Sequence, residues 1–213
     1  MNEDIQEPEV KPEFSLNDWQ EVNKWESNWW GNCTNTFIEE VKQMQIIKYM
    51  SLKADVKDAK VGIDIQGKNI CDLGGGVVSL LLKCINKGNY CVVVDPILEK
   101  APKWVKERYT ASDIFYSESM AELAEFDKKF DEVWLYNVLQ HVQNPIEVLD
   151  TVKRLGNAVR IFEWLNTPPH DGHPHTITKE MVDESLGINL QVSEDMPEFM
   201  SGYRIAGHGY YRL

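Results

Sequence analysis

From Asn69 onward the chain alternates short apolar runs with amphipathic stretches. NICDL, YCVVVD, DIFYS, FDEVWLYN and AVRIFEWL are the runs, and SLLLKCIN, LEKAPKWVKERY and PIEVLDTVKRLG lie among them. Short continuous apolar runs read as strands covered on both faces, and the helices between them are the crossovers that parallel pairing needs. The pattern therefore predicts an α/β fold with a doubly wound parallel sheet. The helix after Asn144 is the clearest, because Asn144 can cap it, Pro145 suits its first turn and Gly156 can end it. After AVRIFEWL come a His/Pro loop, a helix from about Thr178 to Gly187, and two runs, INLQVS and HGYYRL, that suit a terminal antiparallel pair.

Ahead of that alternation the pattern differs. Residues 1–14 are polar, acidic and contain prolines, which predicts a mobile tail. A Trp-rich stretch follows, then a helix signature in which Thr36 and Glu39 can form a capping box and Phe37, Val41, Met44 and Ile47 share one face. Residues 15–55 are expected to be N-terminal helices and residues 65–213 the α/β core, together one domain over 15–213. No internal repeat interrupts this organisation.

Composition narrows the function. A net charge of -12 over 213 residues opposes a phosphate backbone, so no nucleic-acid partner is expected. The four cysteines form no CxxC pair, and Cys71 and Cys91 fall inside apolar runs, which suits reduced, packed thiols. The N-terminus lacks the basic and apolar segments of a secretory signal, and no run approaches the roughly 18 apolar residues of a membrane span. A cytoplasmic protein without a membrane partner is expected, and its oligomeric state is not legible.

The strongest chemical signal is NICDLGGGVVSLLLKC, an apolar strand that ends at Asp72 and passes through Gly74, Gly75 and Gly76 toward an expected helix. Glycines let the backbone turn sharply and let a ligand approach without meeting a Cβ, and a helix N-terminus offers free N–H groups. Asp95 ends the next strand, 23 residues after Asp72. A carboxylate there can accept two hydrogen bonds from a ribose diol. A dinucleotide fingerprint would need a third glycine where Ser79 stands, so a pyrophosphate site is broken. Asp72 would repel a pyrophosphate but attract an α-amino group, which favours a cationic amino-acid nucleoside.

The order DLGGG, VVVDP, FDEVWLYNVLQHVQNP resembles class I S-adenosylmethionine (SAM)-dependent methyltransferases, particularly their small-molecule branch, over roughly residues 65–165. The resemblance implies a Rossmann-like seven-stranded sheet of order 3-2-1-4-5-7-6 with its last strand antiparallel, and an N-terminal helical lid. It implies SAM as cofactor, S-adenosylhomocysteine (SAH) as product, and methyl transfer to a small-molecule acceptor. By the same resemblance Asp72 and Gly74, Gly75 and Gly76 surround the methionine part, and Asp95, followed by Pro96, holds the ribose. Glu118, Ser119 or Met120 would border the adenine, and Asn137 and Val138 would line the sulfonium side. Val78 stands where the family's third glycine would be.

Several residues carry further chemistry. His141 and Glu163 are candidates for the general base, as are the loop histidines, His173 foremost. His170, His173 and His175, near Asp171, invite a metal reading, but no cysteine joins them and the spacing lies in a Pro/Gly loop, so no metal is expected. This loop begins at the carboxyl end of a strand, where His170 and His175 could contact an acceptor. Trp29 and Trp30 could close over the site as part of the lid. Two rival functions stay open at this point: a SAM-binding protein without turnover, and an NAD-dependent oxidoreductase.

Overall fold

The computed structural model describes residues 16–31, 33–57, 60–170, 172–194, 196 and 205–213. The expected tail at 1–14 and Asp171 lie outside them. Two helices, α1 (Leu16–Trp30) and α2 (Cys33–Ile46), precede a hairpin of β1 (Ala54–Lys57) and β2 (Lys60–Ile63) that the apolar pattern did not predict. Val56 and Val61 are largely exposed and burial is confined to Gly62 and Ile63 at the end of β2, too short a run for a pattern to reveal.

The remaining strands are β3 (Asn69–Leu73), β4 (Tyr90–Val94), β5 (Phe115–Ser117), β6 (Glu132–Tyr136), β7 (Ala158–Trp164), β8 (Gln191–Ser193) and β9 (Ala206–Arg212). They form one seven-stranded sheet of order β5-β4-β3-β6-β7-β9-β8. Counted in chain order within the sheet, this is 3-2-1-4-5-7-6. Neighbours from β5 through β7 pair in parallel, and β9 runs antiparallel to both β7 and β8. The expected Rossmann-like sheet and its antiparallel last strand are both present.

The three remaining helices are α3 (Lys103–Ala111), α4 (Pro145–Leu155) and α5 (Lys179–Leu186). Their caps follow the sequence. Asn144 Oδ1 accepts from the Ile146 amide at 3.1 Å, Thr178 Oγ1 accepts from the Met181 amide at 3.1 Å, and Gly187 closes α5 in the left-handed region at φ +70°. Apolar side chains cover both faces of the sheet, with Trp134 and Phe162 in one core layer and Leu135 and Ile161 in the other. This is the alternation that a doubly covered parallel sheet requires.

Four local expectations are corrected. SLLLKCIN forms a single 3-10 turn, Leu80–Lys83, because Leu80 and Leu81 are buried and the chain is drawn off by a parallel bridge between Ile63 and Cys84. LEKAPKWVKERY divides into a 3-10 turn at Pro96–Glu99 and then α3. Helix α2 begins at Cys33, so Thr36 is interior and no capping box forms there. Its expected apolar face is turned outward over the helix as well: Phe37, Val41 and Met44 are exposed, whereas Glu39, Gln43 and Ile46 are buried, and of the expected face only Ile47, just past the helix, is buried. What fixes that orientation is tertiary. Arg160 on β7 pairs with Glu132 on β6 at 2.6 Å and donates to the Met50 and Ser51 carbonyls at 3.0 and 2.9 Å, anchoring the chain just past α2.

Candidate active site

The carboxyl ends of β3, β4 and β6 open into a cavity of about 300 Å³, at the lower end of the range for small-molecule sites. Its floor is the glycine turn. Gly74 and Gly76 have φ +76° and +59°, values that favour glycine. A Cβ at Gly74 would stand 2.5 Å from Val138, and one at Gly75 would stand 2.7 Å from Asp72 Oδ2. At Gly76 a Cβ would meet nothing nearer than Asp95 Oδ2 at 3.8 Å and Trp30 at 3.9 Å. The first two glycines thus serve packing, and the third leaves space that belongs to the cavity. Ser79 Oγ accepts from Leu81 N at 3.0 Å, and one turn of 3-10 helix follows, so the array of free N–H groups expected from a helix is not formed.

Asp72 does not line the cavity. Its carboxylate is 1% exposed, lies under Gly75 and accepts a hydrogen bond from the Ser79 hydroxyl. Burial pushes it up to about 6. Asp95 does border the cavity; its Oδ2 accepts from Gly76 N and its Oδ1 from Ile97 N, both at 2.9 Å. Burial pushes Asp95 up to about 6 as well, against the pull of those two amides. Pro96 and Met120 line the same wall, whereas Glu118 and Ser119 do not. Glu118 pairs with Lys106 at 2.5 Å, and Ser119 Oγ pairs with Ser117 Oγ at 3.0 Å.

At the end of β6, Asn137 adopts φ +52° and lines the cavity with Val138. An L residue in that region costs roughly 1–2 kcal/mol, so something must hold the turn. Glu163 does so from β7: it is fully buried, and its Oε1 accepts from Val138 N at 2.8 Å and Leu139 N at 3.2 Å. Burial outweighs those amides and pushes the Glu163 carboxyl up to about 8. Glu163 is therefore placed behind the loop rather than in the cavity.

His141 lines the cavity four residues beyond Asn137. Its Nδ1 lies 2.7 Å from the Gly172 carbonyl and 2.9 Å from Glu26 Oε1 on α1. Burial alone would lower its pKa; the Glu26 carboxylate offsets that and holds the imidazole above its ordinary value. His173 and His170 also border the cavity, and the His173 ring centroid is 4.3 Å from those of both His141 and His170. Burial, then the two neighbouring imidazoles, depress His173 to about 3, which keeps it neutral. His175 is elsewhere, with Nε2 2.8 Å from the Val142 carbonyl. Among the described residues no group of three or more His, Cys, Asp or Glu is arranged to hold a metal ion.

Helix α1 covers the cavity. Trp29 and Trp30 line it in an edge-to-face pair at 4.7 Å, Trp30 Nε1 donates to Glu26 Oε2 at 2.9 Å, and Trp25 packs against Gly172. Glu26, Glu39, Gln43 and Tyr136 border the cavity as well, although the sequence did not single them out as site residues. Only the spacing of Glu26 and Trp30, four apart on one helix face, hints at their contact. No helix among the described residues is long and apolar enough to cross a membrane.

A family model described as a methyltransferase domain matches residues 71–157, and no curated protein matches the sequence. Several solved structures share the fold at low identity. The N-methyltransferase NodS from Bradyrhizobium japonicum, in complex with SAH, aligns at TM-score 0.59 and 13% identity, covering 90% of this chain and 98% of its own. The 1,6-didemethyltoxoflavin-N1-methyltransferase of Burkholderia thailandensis aligns at TM-score 0.61 and 14% identity, covering 98% and 92%. Magnesium protoporphyrin IX methyltransferase from Synechocystis, with bound SAM, aligns at TM-score 0.61 and 14% identity, covering 93% and 99%. Family match and strand order together show the resemblance to class I SAM-dependent methyltransferases that the motifs carry.

Proposed function

We propose that the chain binds SAM across the glycine turn and transfers its methyl group to a small-molecule acceptor. The observation that carries this reading is the continuity of one cavity from Gly76 and Asp95 to Asn137 and His141 under α1. The residues present fit the cofactor: a Cβ at Gly76 would enter space that the ligand needs, and the Asp95 carboxylate is fixed by two amides at the cavity wall. Three aligned structures are of proteins crystallised with SAM or SAH, which supports the same cofactor here. Two of those proteins are named for small molecules, in line with an acidic chain that disfavours nucleic acid.

When bound, SAM supplies an activated methyl on a sulfonium, so the chain forms no covalent intermediate. Asp95 would hold the ribose, Pro96 and Met120 the adenine side, and Gly76, Asn137 and Val138 the methionine and sulfur side. The chain's remaining work is alignment and exclusion of water, and alignment alone can supply about 7–11 kcal/mol. Trp29 and Trp30 on α1 would act as a lid over the bound pair. His141 is the group best placed to move a proton from an acceptor, since Glu26 and Gly172 fix its Nδ1 and leave Nε2 beside Asn137 at 3.4 Å. Glu163 acts only through the backbone it holds.

Labelled SAM incubated with a metabolite pool tests this reading. Transfer of label to an acceptor is the expected result. Calorimetric SAM binding with no transfer to any acceptor points to a binding protein without turnover, and tight binding of NAD in place of SAM removes the reading altogether.

A further inference from the structure

The sequence offers Asp72 as the carboxylate for the cofactor's amino group, but the fold closes that residue beneath Gly75 and ties it to Ser79. A different pair occupies the cavity wall. Glu39 and Gln43 lie one turn apart on the inward face of α2, are 8% and 3% exposed, and both border the cavity. We propose that Glu39 and Gln43 receive a primary ammonium group, the α-amino group of bound SAM, an assignment that rests on the SAM reading above.

Hydrogen-bond accounting supports it. Gln43 Nε2 donates to the Val78 carbonyl at 2.6 Å, which fixes the amide orientation, since a flip would set oxygen against oxygen. Gln43 Oε1 is then a buried acceptor with no donor. Glu39 Oε1 accepts from the Tyr136 hydroxyl at 2.6 Å, a neutral partner rather than a cation. Burial pushes the Glu39 carboxyl above its ordinary value, as befits a carboxylate short of countercharge, even with Lys42 and Lys83 nearby. Asn137 Oδ1, in a residue that lines the same cavity, is a second buried acceptor without a donor. Two unsatisfied acceptors and a carboxylate bordering one cavity fit a ligand group that only donates, and an ammonium offers three donors and no acceptor.

Placement agrees with chemistry. Val78 closes the glycine turn and Tyr136 immediately precedes Asn137, so the pair spans the ends of β3 and β6. Those are the elements assigned to the methionine part.

Calorimetry with three ligands tests the proposal: SAH, an SAH analogue lacking the α-amino group, and 5′-methylthioadenosine, which keeps the nucleoside and thioether but lacks the amino-acid part. Wild-type protein is expected to bind the desamino analogue roughly tenfold more weakly than SAH, the loss of one charge-assisted hydrogen-bond set. Glu39→Gln and Gln43→Met are expected to weaken SAH by a similar factor and to leave methylthioadenosine within about twofold. Equal wild-type affinity for SAH and the desamino analogue overturns the assignment while leaving the SAM reading intact. So do variants that weaken SAH and methylthioadenosine alike. Absence of SAH binding to the wild type removes both. The desamino comparison needs no variant, so a substitution that fails to fold leaves the test standing.

Discussion

Glu26 Oε1 lies 2.9 Å from His141 Nδ1, joining α1 to the loop that follows the sheet's central β6. The same carboxylate accepts through Oε2 from Trp30, so one side chain orients both the imidazole and the indole that face the cavity. This contact makes the position of α1 depend on the charge of a histidine.

Glu26→Gln is therefore expected to lower the pKa of His141, since burial then acts without its opposing carboxylate. The imidazole titration followed by NMR checks this; an unmoved His141 pKa shows that Glu26 does not govern it. In the wild type the sign follows from a raised histidine pKa. The Glu26–His141 contribution is present below the unfolded value near 6.5 and is lost as pH rises through the folded value. Amide exchange over α1, corrected for intrinsic rate, should accelerate across that rise.

Asp95→Ala is expected to weaken SAM binding at least tenfold, roughly the loss of a charge-assisted hydrogen-bond pair. The substitution also removes the acceptor for Ile97 N and Gly76 N, a cap worth about 1 kcal/mol, so the melting transition should fall modestly and stay cooperative. Unchanged affinity by calorimetry takes Asp95 out of the site.

Gly75→Ala and Gly76→Ala should fail differently. At Gly75 the new Cβ meets the buried Asp72 carboxylate at 2.7 Å and Val93 at 3.0 Å, an overpacking that costs about 1–3 kcal/mol. At Gly76 space is open but φ is +59°, so strain costs about 1–2 kcal/mol and the methyl enters the cavity. The expected split is a larger loss of melting temperature for Gly75→Ala, and for Gly76→Ala a loss of SAH affinity out of proportion to its stability. A Gly76→Ala protein that binds SAH normally contradicts the floor assignment.

Glu163 makes stability fall with pH. Its folded value is about 8 against 4.5 for a freely solvated glutamate, so the folded state binds the extra proton. The contribution is complete below pH 4.5 and disappears as pH rises through about 8. Glu163→Gln keeps an acceptor for the Val138 and Leu139 amides and cannot ionise. Melting curves from pH 5 to 9 should show the variant gaining on the wild type as pH rises; parallel curves refute a buried, titrating Glu163.

Much of the fold was written in local pattern. The runs from NICDL to AVRIFEWL became β3 to β7, of which β3, β4, β6 and β7 are mostly apolar because they are covered on both faces, whereas β5 is an exposed edge; Asn144, Thr178 and Gly187 marked helix ends because capping is a local hydrogen-bond problem. The stretch after the glycines departs from its pattern for the converse reason: Leu80 and Leu81 fit a helix locally, but long-range pairing of Ile63 with Cys84 redirected the chain.

The site divides in the same way. Gly74, Gly75 and Gly76, together with Asp95, were legible because their chemistry depends on the backbone beside them: a turn with positive φ, and a carboxylate at a strand end. Whether a side chain reaches the cavity depends instead on what packs above or below it. Asp72 and Glu163 are sealed under the floor, whereas Glu26, Glu39 and Gln43 come to the wall only because α1 and α2 lie across the sheet. Sequence alone thus determined the layered sheet and its glycine turn, through periodicity and backbone preference. Tertiary structure decided which charged groups line the cavity, because burial and orientation of a helix face are set by contacts far apart in the chain.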